Sequence, residues 1–297
     1  MYYFLSVVIG AIISVMIALN GELTAIHGMT LAAVIIHSIG ALFAYIVLKV
    51  MRKPLEIKKG IPSWVYLGGV LGVFAIYSNN YAFGKITLTS IIAIVLLGQT
   101  IMSLLVDTFG LFGMEKYPFQ KVTLIGLGIA AIGMFWMLDA PTGSGVIAVI
   151  VSFLAGASIV IARTCNANLA AHVGDLQSAF INHLTGIPVC VLLFALLINA
   201  SPTSYDFSYQ KLWIYAGGLL GVSTVLLFNI LVPKIAALPL TLLSFLGQIF
   251  ASMLIDILFL GTTNFTTLYA SLLIALGITL NQLLTTYFTP KNAKTEV

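Results

Sequence analysis

Few side chains in this sequence can do chemistry, and several of them recur. Gln99, Ser103 and Asp107 stand four residues apart in "GQTIMSLLVD", and Gln248, Ser252 and Asp256 repeat that spacing in "GQIFASMLID". Four-residue spacing lines such groups along one face of a helix. An amide, a hydroxyl and a carboxylate on one face can bind a polar solute. A carboxyl there can also carry a proton, because desolvation and a like-charged neighbour both raise its pKa. Covalent chemistry has no such support. The chain lacks His-Glu-x-x-His, Gly-x-Ser-x-Gly and a phosphate-cradling Walker loop. Cys165 and Cys190 fall singly inside apolar runs, and His37 and His183 alone do not make a metal site. A non-enzymatic protein without metal or cofactor is the expectation.

The remaining polar candidates lie in equally apolar surroundings. "IALNGELTA" carries Asn20 and Glu22, and "IARTCNANLA" carries Arg163, Asn166 and Asn168. Asn80 and Asn229 complete the set. Polar groups inside hydrocarbon are costly and usually functional. Asn20, Glu22, Asn80, Gln99, Ser103, Arg163, Asn166, Asn168, Asn229, Gln248 and Ser252 are therefore the candidate substrate-binding residues. Glu22, Asp107, Asp256, His37 and His183 are the candidates for gating or proton coupling. Each has a plain structural alternative. An intramembrane Asn or Gln can serve only as a helix-to-helix hydrogen bond. The two aspartates can mark helix ends at the headgroups, although an acid at the C-terminus of its own helix opposes the dipole. The two histidines read better as helix-to-helix hydrogen bonds than as a relay.

The elements that must position these residues are membrane helices. Hydrophobic residues make up 60% of the 297-residue chain and charged residues only 7%, against about 25% charged in a soluble domain. Cutting at loop signals gives ten expected spans: 3–26, 29–50, 63–83, 87–107, 119–138, 145–170, 176–198, 211–231, 237–259 and 266–288. The N-terminal run lacks a basic leader and is too long for a signal peptide, so it reads as a retained helix. The formal charge of +4 belongs to membrane loops and does not suggest a nucleic-acid partner.

The opening motif is part of a longer repeat. Residues 64–107 and 213–256 are identical at 16 of 44 positions at an offset of 149, including Trp64/Trp213, Gly68/Gly217, Asn80/Asn229 and Lys85/Lys234. Earlier in each half the offset is 146, pairing Gly10 with Gly156, Asn20 with Asn166, His37 with His183 and Gly40 with Gly186. Two five-helix units follow, residues 1–140 and 141–297. An odd number of helices inverts the second unit, and loop charge agrees. Lys49, Arg52, Lys53, Lys58 and Lys59 crowd the loop after the second span, whereas its counterpart carries only Lys211. The positive-inside rule then places both termini in the cytoplasm. Inverted repeats let one pattern form two gates, one for each side of the membrane.

The signature Trp-x-Tyr-x-Gly-Gly-x-Leu-Gly, then an Asn, then Gly-Gln-x-x-x-Ser-x-x-x-Asp, resembles the bacterial YdcZ-type family of the drug/metabolite transporter (DMT) superfamily. That family usually occurs as single five-helix chains, and this sequence looks like a fused tandem version over nearly all of residues 1–290. The resemblance implies an all-α, EamA-like fold with a central cavity lined by the first four helices of each half, and the fifth helices lying peripherally. Gln99, Ser103, Gln248 and Ser252 would then lie on cavity-facing helices. Small multidrug exporters of the superfamily use a first-helix glutamate for substrate and protons. Glu22 lies deeper toward the end of its span, and the second half has Asn168 in its place.

The function these observations suggest is secondary transport of a small polar or amphipathic metabolite or drug by alternating access, with a proton as a candidate coupling ion. A flippase for a lipid-linked substrate, or an accessory membrane subunit with no flux of its own, is the alternative. The expected partners are a small-molecule substrate and membrane lipid, the expected state a monomer or homodimer, and the expected location the bacterial cytoplasmic membrane, crossed many times.

Overall fold

Backbone amides and carbonyls in hydrocarbon have no water to bond, so apolar runs of this length must satisfy them internally, as helices. The computed structural model describes residues 1–53, 55, 59–82, 85–86, 88–117, 119–136, 144–197, 209–255, 269–270, 272–274, 276–277, 279–280 and 284. Among them every regular element is helical: α1 (Tyr2–His27), α2 (Met29–Val50), α3 (Gly68–Ala82), α4 (Leu88–Phe109), α5 (Thr123–Trp136), α6 (Ser144–Val173), α7 (Asp175–Leu197), α8 (Gly217–Leu231) and α9 (Ala237–Ile255). Short 3₁₀ segments, Ser63–Leu67 and Tyr209–Ala216, lead into α3 and α8. The described residues between 269 and 284 are helical as well. Among the described residues, five stretches are long and apolar enough to cross a membrane: Tyr2–His27, Met29–Val50, Gly145–Val173, Asp175–Leu197 and Leu212–Leu231. Shorter apolar helices cover Ile94–Phe109, Thr123–Gly133 and Ala237–Ser252.

Two tight turns separate the helices whose boundaries are least marked in the sequence. Gly28 (φ 79°) breaks α1 from α2, and its repeat mate Gly174 (φ 89°) breaks α6 from α7. Positive φ is strained for any side chain but glycine. In both turns the glycine N–H still donates four residues back, to Thr24 at 2.9 Å and to Ala170 at 2.7 Å. α7, by contrast, runs unbroken through Pro188.

The helices do not pack half against half. α1 lies on α9 and α8, while α6 lies on α3 and α4; α2 and α7 cross each other. The first helix of each sequence half is thus lodged among the third and fourth helices of the other half. Glycines set the seams, and each seam occurs twice with the halves exchanged. A Cβ at Gly10 would overlap the Ser244 carbonyl, and one at Gly247 the Val7 carbonyl, fixing the α1–α9 crossing. The α6–α4 crossing has Gly156 against the Val95 carbonyl and Gly98 against the Phe153 carbonyl. Close backbone approach of this kind is how helices gain dispersion contact in a solvent as apolar as themselves. Gly68, Gly69, Gly217, Gly218 and Gly221 likewise meet a neighbouring helix, whereas Gly72 has open space beside it.

α5 lies at the periphery. Leu124, Ile125, Ile132, Phe135 and Trp136 are exposed, and Ala130 joins a small core with Leu96, Leu238, Leu242, Phe245, Ala270 and Ile274.

Candidate functional site

The polar groups fall into three layers along the crossing helices. In the first, Asn166 on α6 sits against Gly68 and Asn20 on α1 against Gly217, the same contact with halves exchanged. Their hydrogen bonding differs. Asn166 Nδ2 donates to Asn182 Oδ1 at 2.9 Å, and Ser178 Oγ donates to the Asn166 carbonyl at 2.7 Å. Residue 36, which corresponds to Asn182, is an isoleucine, and Asn20 Oδ1 has no hydrogen-bond partner.

The second layer is the α2–α7 crossing. His37 packs on Gly186 and His183 on Gly40, and the two rings lie 5.2 Å apart between centroids, tilted by 57°. Both are buried. Ring lies against ring and ring against glycine, and His37 Nδ1 and His183 Nδ1 and Nε2 are without side-chain partners.

The third layer holds the charges. Arg163 on α6 is almost fully buried, and its Nη2 donates to Ser103 Oγ (3.1 Å), to the Ala237 carbonyl (3.0 Å) and to Thr241 Oγ1. Ser103 and Thr241 also bond each other at 2.7 Å, and the guanidinium carbon stands 5.5 Å from the centre of the Phe228 ring. Asp107 completes the cluster. Its Oδ1 accepts the Ala237 N–H at 2.6 Å and its Oδ2 the Leu238 N–H at 2.7 Å. These are unsatisfied donors of the first turn of α9, where the helix dipole is positive. The unfavourable dipole of α4, which ends beneath Asp107, is thereby answered by the start of another helix. Arg163 and Asp107 meet across one peptide unit: the carboxylate accepts its N–H, at Leu238, and the guanidinium donates to its C=O, at Ala237.

The remaining candidates are more dispersed. Gln99 is half-buried on α4. Gln248 Nε2 reaches the Ser244 carbonyl at 3.5 Å, and the Gln248 carbonyl accepts from Ser14 Oγ at 2.9 Å. Ser252 pairs with Ser14 at 3.0 Å. Asn168 Nδ2 donates to the Phe112 and Thr164 carbonyls, both at 3.0 Å. Asn229 is buried, with Nδ2 on the Asp175 carbonyl at 3.0 Å and Oδ1 unpartnered. Glu22 is exposed on α1. The side chain of Asn80 and the whole of Asp256 lie outside the described residues. Ser14, Asn182 and Thr241 belong to these networks and were not singled out in the sequence, nor was the buried His27, whose Nε2 is 2.8 Å from Tyr215 Oη. The demand of a buried guanidinium for acceptors was a signal for Thr241, one turn beyond the start of α9. Among the described residues no group of three His, Cys, Asp or Glu could hold a metal ion.

A family described as "Putative inner membrane exporter, YdcZ" matches this chain twice, over residues 1–136 and again over 147–280. The chain belongs to the YdcZ family. A double match makes it a tandem YdcZ chain, and the family with the apolar helices identifies it as a multi-pass inner-membrane protein of the transporter class. Among solved structures, one crystal structure superposes on this YdcZ chain with a TM-score of 0.72, covering 97% of this chain and 98% of the other at 14% identity. That similarity establishes a shared fold alone. A search of curated proteins gave no match.

Proposed function

We propose that this YdcZ chain is a secondary transporter that moves a small polar or amphipathic metabolite or drug across the bacterial cytoplasmic membrane by alternating access. The observation that carries this reading is the pairing of contacts under exchange of the halves: Gly10/Ser244 with Gly156/Val95, Gly68/Asn166 with Gly217/Asn20, and Gly40/His183 with Gly186/His37. Two equivalent sets of crossings around buried polar groups can exchange conformations, which opens the polar interior to one side and then the other. In this reading residues 1–140 and 141–297 are inverted five-helix repeats, ten helices cross the membrane, and both termini are cytoplasmic. Asn20, Asn166, Gln99 and Gln248 line the path, and Glu22 is its acidic group and the candidate proton carrier. The chain acts as a monomer or homodimer on a small-molecule substrate.

Flux through purified protein in proteoliposomes tests the proposal, with ethidium and a mixture of ¹⁴C-labelled amino acids as probes, with and without an imposed pH gradient. Protein-dependent movement of either probe that is lost in Glu22→Gln supports it. Absence of all flux favours the lipid-linked or accessory alternative. Reporter fusions after residues 55 and 205 test the inversion: the first must be cytoplasmic and the second external.

A further inference from the structure

Residues related by the repeat occupy the same face of equivalent helices, so exposure to lipid affects both members of a pair alike. A pair that differs sharply therefore differs in how tightly its own end of the protein is closed. Around the charged cluster the pairs differ sharply. Arg163 is 4% exposed and its counterpart Ile17 57%, while Thr241 is 1% exposed and its counterpart Ile92 41%. Ser103 is buried and Ser252 exposed, and Ala18 and Gly21 are exposed where Thr164 and Ala167 are buried. Other pairs agree: Leu231 and Ala82 are both fully buried, as are Ile9 and Ala155.

We infer that the structure is a one-sided state, closed at the Asp107 end and open at the other, and that Arg163, Ser103, Thr241 and Asp107 form a lock holding the first turn of α9 against α4 and α6. This rests on the transporter reading of the same helices. The chemistry of the two ends supports it. At the closed end α9 is held by both carboxylate oxygens of Asp107, by a guanidinium bond to the Ala237 carbonyl and by a hydroxyl bridge between Ser103 and Thr241. At the equivalent place in the other half the sequence has Ile17 for Arg163, Ile92 for Thr241 and Leu88 for Ala237. Isoleucine neither donates nor accepts, so the guanidinium bonds and the hydroxyl bridge have no equivalent there. The two gates share a backbone plan but differ in how they are fastened, and the resting population is biased toward the Asp107 end being shut. Each direction of the cycle then has its own barrier, since opening this end must separate charged hydrogen bonds in an apolar surrounding.

The lock is tested with a membrane-impermeant maleimide on protein in lipid nanodiscs, where both ends are reachable. In a Cys165→Ala, Cys190→Ala background, Ala18→Cys and Thr164→Cys report on equivalent positions of the two ends. The expected result is labelling of Ala18→Cys at least about tenfold faster than Thr164→Cys, and acceleration of Thr164→Cys by about tenfold once Thr241→Val or Asp107→Asn is added, a ratio set by the shift in population. Ser103→Ala provides the same readout should either variant fail to give a monodisperse protein. Equal labelling of the two cysteines, or Thr164→Cys labelling unmoved by the lock variants, overturns the inference. Labelling reads conformation without substrate. Unmoved labelling with intact ethidium flux removes the lock and leaves the transporter, whereas the expected labelling without any flux removes the transporter and leaves the lock.

Discussion

Asp107 ends α4 by beginning α9: its carboxylate accepts the N–H groups of both Ala237 and Leu238, 130 and 131 residues along the chain. An acid placed against the negative end of its own helix is thereby held at the positive end of another. Asp107→Ala removes both acceptors and leaves two amides without partners in an apolar site. A hydrogen bond to a charged group contributes about 1.5–3 kcal/mol, so Asp107→Ala lowers stability by roughly 3 kcal/mol and Asp107→Asn by about half as much. Thermal unfolding in detergent, followed by tryptophan fluorescence, checks the order of the two variants. Equal melting of Asp107→Ala and wild type contradicts the cap.

Glycine seams that occur twice must fail twice. Gly10→Ala and Gly156→Ala each force a methyl group into a backbone carbonyl of the facing helix, and backbone cannot step aside as a flexible side chain can. Overpacking of this kind costs about 1–3 kcal/mol. Gly128→Ala, with nothing within 4 Å of the new methyl, leaves the melting temperature unchanged or raises it. Yield of monodisperse protein and melting temperature both measure the contrast.

The matched asparagines are not equivalent. Asn166→Ala leaves Asn182 Oδ1 buried without its donor, whereas Asn20→Ala removes a side chain whose own Oδ1 is unpartnered. Interhelical side-chain bonds in membranes contribute about 0.6–2 kcal/mol, and Asn166→Ala is expected to be the more destabilising by about that amount. Steric trapping or unfolding in denaturing detergent resolves the difference; a larger loss at Asn20 counts against it.

The turns between the first and second helices of each half require glycine. Gly28→Ala and Gly174→Ala place a Cβ at φ near 79° and 89°, which costs on the order of 1–3 kcal/mol per site. Both variants melt lower than wild type, and the loss of the pair adds, because the two turns share no partner.

Much of this architecture was legible from one chain. The helix positions followed from apolar length and loop chemistry, and nine of the ten expected spans coincide with α1 to α9 to within a few residues at most boundaries. The repeat exposed which residues are equivalent, because Gly10, His37, Gly98 and their mates are spaced by steric needs that occur twice. Partnership was less legible. Nothing local to Asp107 announces Ala237, and Arg163 finds Ser103 only because α6 lies among helices of the other half. Pairwise contacts between distant helices depend on their crossing, which composition and periodicity do not encode. Asn168 illustrates the same limit: it matches Glu22 by position, yet is engaged with the Phe112 carbonyl, in a loop that does not belong to the repeated segment.

The lodging of α1 among α8 and α9, and of α6 among α3 and α4, has a consequence for how such a chain is made. α1 leaves the ribosome well before the surface it fits, on α8 and α9, is synthesised. Until α9 arrives, the seam of Gly10 has only lipid tails beside it, and the Asp107 carboxylate waits for amides that do not yet exist. Biogenesis of this protein is therefore a late event: early helices are stored side by side in the bilayer, and the final architecture is reached in a closing rearrangement once the second copy has been inserted.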